Sequence, residues 1–383
     1  MAGIYIHIPF CVSKCRYCDF VSFPCETEAK KRYVDALIHE MAIAAKELPG
    51  KQYDTVFIGG GTPSTLELGE IMRIMAALHD NFSIAEDAEI TVEANPGTLD
   101  AWKLAEYREC GINRLSMGLQ SVNPHILKAL GRIHTPDDFL KSMDMAKAAG
   151  FTNINADLMY GLPEQSTEDL LAAIAVAAGA GVTHISAYSL IIEKGTPFYE
   201  LYKFDAVRQA AGMQTESLPT EEEEYQTTKM TQHILKEAGY HWYEISNFAK
   251  PGYECRHNIG YWKRVDYLGV GLGASSLIDN VRYSNTRDLY TYLSVPADSL
   301  HETAAQITRN EQMEEFMFLG LRMRDGFYRD EFTQAFGIPI EAVYGDALNH
   351  LQQEELLLKR EGRIYLTDKG MDLNNYVVAQ FML

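Results

Sequence analysis

Short β-rich apolar runs alternate with stretches of helical periodicity through the first half of the chain, and this alternation leaves few folds open. Residues 4–8, 55–58, 89–93, 114–117, 153–159 and 184–190 read as strands. Residues 30–48, 67–78, 100–110, 135–149 and 167–178 read as the helices between them. Repeating strand and helix in this order predicts an α/β fold with a parallel sheet covered by helices. About six units fit a partial (β/α)6 barrel of the TIM-like kind better than a short doubly wound sheet. In such barrels the chemistry gathers at the C-terminal ends of the strands. The polar residues of this chain cluster there. Cys11 follows the first strand and Gly59-Gly60-Gly61 the second, Glu93 lies on the third, Gln120 follows the fourth, and Asp157 lies on the fifth.

Beyond the sixth strand the pattern changes. Residues 193–214 read as an irregular excursion, 220–238 as a helix and 240–245 as a strand. From about 303 onward three helices (310–323, 329–336 and 341–353) precede a hairpin at 356–367, an order like that of a winged helix. The chain is expected to divide into residues 1–215 (barrel), 216–300 (barrel extension) and 301–383 (C-terminal winged-helix-like domain). With 383 residues, 46% of them hydrophobic, it can bury a large core.

Charge narrows the partners. The net formal charge is −19. A nucleic-acid partner is not expected, because phosphate binding calls for a basic face. The acidic run at 221–224 is expected to be a solvated helix start. No apolar run is long enough for a membrane-spanning helix, and the N-terminus lacks the segments of a signal peptide. The cytoplasm is the expected compartment. There, six cysteines remain thiols, and tight clustering points to metal or redox chemistry rather than disulfides. Cys110, at the end of a helical stretch, is expected to be a small core residue.

Cys11, Cys15 and Cys18 form such a cluster in the loop after the first strand. A zinc site would want four ligands, usually as paired Cys-x2-Cys elements. Iron–sulfur clusters also take thiolates, commonly four. Three thiolates on a four-iron cubane would leave one iron open to a further ligand.

The spacing Cys-x3-Cys-x2-Cys, with Tyr17 just before the last cysteine, resembles the radical S-adenosylmethionine (SAM) superfamily. The resemblance extends through YIHIPFC, GGGTPS, NRLSMGLQS and INADLMYGLP, and covers nearly the whole chain. It implies a radical SAM barrel with a 4Fe–4S cluster held by Cys11, Cys15 and Cys18. The open iron would bind the methionine end of the cofactor, which is cleaved to a 5′-deoxyadenosyl radical on reduction. The resemblance further implies that Tyr5 lies against the cluster or cofactor and Tyr17 near the adenine. Gly60, Gly61 and Thr62 would bind the methionine amino end, and glycine there lets a backbone approach a ligand closely. Glu93, Gln120 and Asp157 would face the cofactor, with Asp157 taking ribose hydroxyls. Arg132 would pair with its carboxylate, and Ile191 would give an apolar contact to the adenine.

Within that superfamily the chain is similar to the coproporphyrinogen III dehydrogenase group, which has two branches. The oxidative decarboxylases carry a longer segment before the cluster motif and a further cysteine two residues after the third ligand. Here ten residues precede Cys11, and Cys18 is followed by Asp19-Phe20. The haem-chaperone branch resembles this chain in the short lead, in Cys-Asp-Phe and in a His-Asn-x-x-Tyr-Trp motif, present at 257–262. The resemblance therefore implies haem as a ligand, a haem site at His257, and a haem-acceptor protein as partner, a respiratory haem protein being one candidate. The alternative activity is oxygen-independent coproporphyrinogen III oxidation. A purely local reading of His257 is also open, in which it orders the loop below Gly269-Val-Gly-Leu-Gly. Cys255 beside it is expected to be packed.

Overall fold

The computed structural model describes residues 2–383. Six parallel strands form its centre: β1 (Gly3–Ile8), β2 (Gln52–Gly60), β3 (Ser83–Ala94), β4 (Arg114–Gln120), β5 (Asn153–Tyr160) and β6 (His184–Ser189). They pair in chain order. Between and after them run α1 (Thr27–Glu47), α2 (Glu70–Asn81), α3 (Ala101–Glu109), α4 (Pro124–Leu130), α5 (Pro136–Ala148), α6 (Thr167–Gly179), α7 (Pro197–Ala210) and α8 (Glu221–Glu237). The α/β barrel expected from the alternation is the observed architecture. It is partial. β7 (His241–Glu244) and β8 (Asn247–Ala249) add antiparallel strands beyond β6, and β9 (Tyr267–Val270) pairs with β1 in parallel. A meander of β10 (Ser275–Ile278), β11 (Val281–Asn285) and β12 (His301–Gln306) ends the twelve-stranded sheet on the other side.

The strands carry near-continuous apolar runs on their helix-covered faces. Ile4, Ile6, Ile8, Val56, Ile58, Val92, Leu115, Met117, Ile154, Ala156 and Ile185 are buried there with apolar residues of the helices. The alternate positions face the barrel interior and are mostly polar, with Phe57 among the exceptions. Register aligns Glu93 with Ser116, Ser116 with Asn155, Gly118 with Asp157 and Asp157 with Ser186. A side-chain period of two thus stacks polar residues in layers along the barrel axis.

Helix starts are legible in the chain. Thr135, Ser166 and Thr220 each close a capping box with an acidic residue three positions on. All four glutamates at 221–224 fill the first turn of α8, where the helix dipole favours negative charge. The stretch 193–214 is not irregular. It contains α7, whose Leu201, Phe204 and Val207 are exposed, so its apolar residues do not mark a buried stripe. Helix α9 (Arg256–Trp262) crosses the N-terminal ends of the strands, and α10 (Leu289–Ser294) packs beside α1.

The C-terminal part has its own core. It is built from α11 (Arg309–Gly320), β13 (Phe327–Tyr328), α12 (Arg329–Phe336), α13 (Ile340–Gln353), β14 (Leu357–Arg360), β15 (Arg363–Leu366), α14 (Asp368–Asp372) and α15 (Asn374–Ala379). Met317, Phe332, Leu348, Leu351, Ile364 and Val377 pack together, with Trp242 and Ile245 of the barrel against them. Helices plus a three-stranded antiparallel sheet give the winged-helix-like order.

Candidate cofactor site

The loop after β1 turns back on the barrel and is pinned at several points. Cys11 N–H donates to Phe23 O at 3.1 Å, Arg16 N–H to Leu130 O at 3.0 Å, and Cys18 N–H to Cys15 O at 3.2 Å. The three thiols thereby line one cavity of about 330 Å³ at the C-terminal ends of β1–β6. None of them is in a disulfide. Each has a polar neighbour at 3.7 Å: Thr62 Oγ1 for Cys11, Arg132 Nη1 for Cys15 and Ser22 Oγ for Cys18. Among the described residues no three His, Cys, Asp or Glu side chains form a group that could hold a single metal ion. A cubane asks for something else, one thiolate on each of three separate irons. Three unpaired thiols spaced around one cavity fit that demand.

The glycine turn after β2 forms the next wall. Gly61 N–H donates to Ile8 O at 2.8 Å and Thr62 N–H to Phe10 O at 2.7 Å, which fastens this turn to the cysteine loop. Gly60 has φ +115°, and a Cβ there would stand 2.5 Å from the His7 ring. Only glycine meets both conditions.

Strands β3 to β6 supply the floor. Glu93 and Asp157 open on the cavity on one side and are enclosed by protein on the others. Burial, then the nearby Asp157, pushes the Glu93 carboxyl up to about 7, against the Gly60 N–H that stabilises its charge. Burial likewise raises Asp157, opposed by its bond from Asn155. Arg132 donates from Nη2 to Asn95 Oδ1 at 2.7 Å and Gly118 O at 2.6 Å, so its fork is fixed. Gln120, at φ +62°, accepts from Tyr188 at 3.3 Å. Such a backbone conformation is uncommon outside glycine and concentrates at functional sites.

The cavity gathers Cys11, Cys15, Cys18, Tyr17, Gly60, Gly61, Thr62, Glu93, Gln120, Arg132 and Asp157 from distant parts of the chain. Tyr5 stands beneath, with its hydroxyl 3.0 Å from His7 Nδ1 and its ring stacked on Phe57. Ile191 does not line the cavity and is largely exposed. Asn95, Ser116, Ser186, Tyr188 and Asn247 line it as well and were missed. A period-two pattern could have found several: Asn95 lies two residues beyond Glu93, and Ser186 and Tyr188 are themselves two apart.

His257 occupies the other end of the barrel. Its Nδ1 is 2.9 Å from Thr55 Oγ1 and its Nε2 is 2.9 Å from Tyr261 Oη. The ring stacks on Phe57 and is almost completely buried. Burial, then the Arg114 charge, pushes the imidazole down to about 3, so it is neutral. Cys255 is fully buried beside it, its thiol raised to about 12, chiefly by burial.

Residues 5–177 match the Radical SAM superfamily, and residues 307–373 match the HemN C-terminal domain. The chain is 35% identical to the haem chaperone HemW of Lactococcus lactis, over 99% of this chain and 97% of that one. It is also 35% identical to the haem chaperone HemW of Bacillus subtilis, over 100% and 99%. The chain belongs to the HemW haem-chaperone family of radical SAM proteins. The coproporphyrinogen III oxidase HemN of Escherichia coli shares its fold, with a TM-score of 0.84 at 24% identity over 100% of this chain and 90% of that one. Membership of the radical SAM superfamily implies a 4Fe–4S cluster and SAM as cofactors, and three thiols lining one cavity fit such a cluster. No helix among the described residues is long and apolar enough to cross a membrane.

Proposed function

We propose that the chain is a haem chaperone, which binds haem and passes it to an acceptor protein while holding a cluster and SAM at the open end of its barrel. What carries the reading is end-to-end similarity to haem chaperones of two organisms, including the C-terminal part. In this reading Cys11, Cys15 and Cys18 hold the cluster, and when bound the cluster supplies one electron at a time to the sulfonium of SAM. Gly60, Gly61 and Thr62 receive the amino end of SAM beside Glu93. Arg132 takes the carboxylate and Asp157 the ribose hydroxyls, with Gln120 and Tyr17 enclosing the rest and Tyr5 lying beneath the site. Ile191 would reach the adenine only from outside the cavity. Residues 1–215 carry this site apart from Asn247, 216–300 carry Asn247 and His257, and 301–383 form the module packed against Trp242.

His257 is the haem ligand in this reading. Ligation requires α9 to turn, because both ring nitrogens are engaged within the protein. The acceptor is a haem protein, of which a respiratory one is the first to test, and the compartment is the cytoplasm. A nucleic-acid partner has no place in this reading.

A second reading rests on the same cavity: oxygen-independent coproporphyrinogen III oxidation, with decarboxylation of two propionates. Anaerobically reconstituted protein given reductant, SAM and coproporphyrinogen separates the two. Formation of protoporphyrinogen would sink the chaperone-only reading. Haem titration tests the ligand. Wild type is expected to bind haem and His257→Ala to bind it much more weakly; equal binding would remove His257 from the proposal.

A further inference from the structure

The cofactor cavity and α9 sit at opposite ends of the barrel, and one chain of hydrogen bonds joins them through its interior. Asp157 Oδ1 accepts from Asn155 Nδ2 at 2.7 Å. The same amide group donates to Ser116 Oγ at 2.8 Å. Asn155 Oδ1 accepts from Ser186 N–H at 3.1 Å and stands 2.6 Å from His184 Nδ1. An amide oxygen only accepts, so His184 carries its proton on Nδ1. Burial, then Arg114, holds this imidazole well below its ordinary pKa, so it is neutral and its Nε2 is an acceptor. Tyr243 Oη, 2.8 Å away, therefore donates to Nε2. Its oxygen in turn accepts Cys255 N–H at 3.2 Å.

Cys255 caps the start of α9. Its thiol donates to Glu89 Oε1 at 3.6 Å, and the same carboxylate accepts His257 N–H at 3.1 Å and Arg256 N–H at 3.2 Å. A carboxylate at a helix N-terminus holds that end firmly. Arg114, fully buried midway, lies within electrostatic range of both Glu89 and Asp157. Asn155 is the hub, bonded at once to Asp157, Ser116, Ser186 and His184, so a shift at one rung is felt at its neighbours.

We propose that this ladder couples the two ends: filling the cofactor cavity locks α9 down and weakens haem binding, with His184 and Tyr243 as the positioning residues that transmit the effect. A ligand that takes Asp157 in its ladder-held orientation stabilises the intact ladder. Haem ligation by His257 needs α9 to leave. The two ligands favour opposite states, and linkage makes them antagonists. Haem loads onto the empty cavity state and is released from the filled one. The haem arm rests on the reading that His257 takes the iron; the locking of α9 does not.

Hydrogen exchange at the amides of residues 256–262 reads the locking directly in cluster-loaded protein. SAM is expected to slow it about five-fold or more in wild type, and by less than about two-fold in Tyr243→Phe, which still binds SAM. His184→Phe breaks the neighbouring rung and is expected to behave alike. Unchanged exchange in wild type, or slowing retained in both variants, overturns the ladder. Haem titration supplies the second readout. SAM is expected to raise the haem dissociation constant about five-fold or more in wild type and to leave Tyr243→Phe within about two-fold. A wild-type protein that binds haem through His257 with no response to SAM also overturns it. Absence of haem binding would count against the haem-ligand reading, and the exchange result would still decide the ladder.

Discussion

Gly60 donates its backbone N–H to Glu93 Oε2 at 3.0 Å, across two neighbouring strands and at the edge of the cofactor cavity. The bond fixes a carboxyl whose proton is held up to about 7 by burial and by Asp157. In the proposed site the amino end of SAM donates to this carboxyl, and does so more strongly when the carboxyl is ionised. Affinity for SAM is therefore expected to rise from pH 5 to about pH 8 and then level. Glu93→Gln is expected to bind about ten-fold more weakly at pH 8 and to lose the pH dependence. Calorimetric titration across that range checks both; an unchanged slope in the variant would remove Glu93 from the site.

The same carboxyl makes a stability prediction for the protein without SAM. Its folded value lies above the ordinary carboxylate value, so the folded state binds more protons than the unfolded one between them. Stability falls as pH rises from about 4.5 to about 7. Denaturant unfolding of wild type and Glu93→Gln at pH 5 and pH 8 is expected to show a smaller drop in the variant.

The proposed cluster ligands have a compositional readout. Cys15→Ala is expected to lose most iron and sulfide after anaerobic reconstitution. Cys110→Ala is expected to keep them, because Cys110 ends α3 and packs on the barrel's core rather than on the cavity. Equal iron in both variants would refute the ligand assignment.

Gly61 tests how tightly the glycine turn clasps the cysteine loop. A Cβ there would lie 2.7 Å from Phe10 O and 3.0 Å from Cys11 Sγ. The first is backbone and cannot swing aside. Gly61→Ala is expected to cost about 1–3 kcal/mol of stability. It is also expected to lower cluster content by displacing Cys11. Iron content and denaturant midpoint measured together check it, and a fully loaded variant would show that the loop yields.

Legibility in the sequence followed the range over which each signal acts. Cys11, Cys15 and Cys18 lie in one loop and Gly59-Gly60-Gly61 in one turn, so spacing alone marks them. The barrel was legible because each βα unit is local and its apolar strands are buried on the helix side. α7 escaped because its Leu201, Phe204 and Val207 face outward, so periodicity points to no core. Asn155, His184 and Tyr243 meet only after four strands pair, β8 standing between β6 and β7, and no local pattern links residues so far apart. His257 was visible as a motif, but its engagement by Thr55, over 200 positions away, was not.

Arg132 offers a test that separates cofactor binding from cluster assembly. One of its nitrogens, Nη2, donates to both Asn95 Oδ1 and Gly118 O, while Nη1 lies 3.7 Å from Cys15 Sγ. Gly118 must lack a side chain for this, since a Cβ would come within 2.7 Å of Nη2. The guanidinium is thus held on one edge and presents its remaining donors to the cavity. Lysine keeps the charge but loses the fork. Arg132→Lys is expected to retain its iron and sulfide and to bind SAM about ten- to a hundred-fold more weakly, the range for hydrogen bonds to a charged group. Loss of iron at unchanged SAM affinity would reverse the assignment and make Arg132 a support for Cys15.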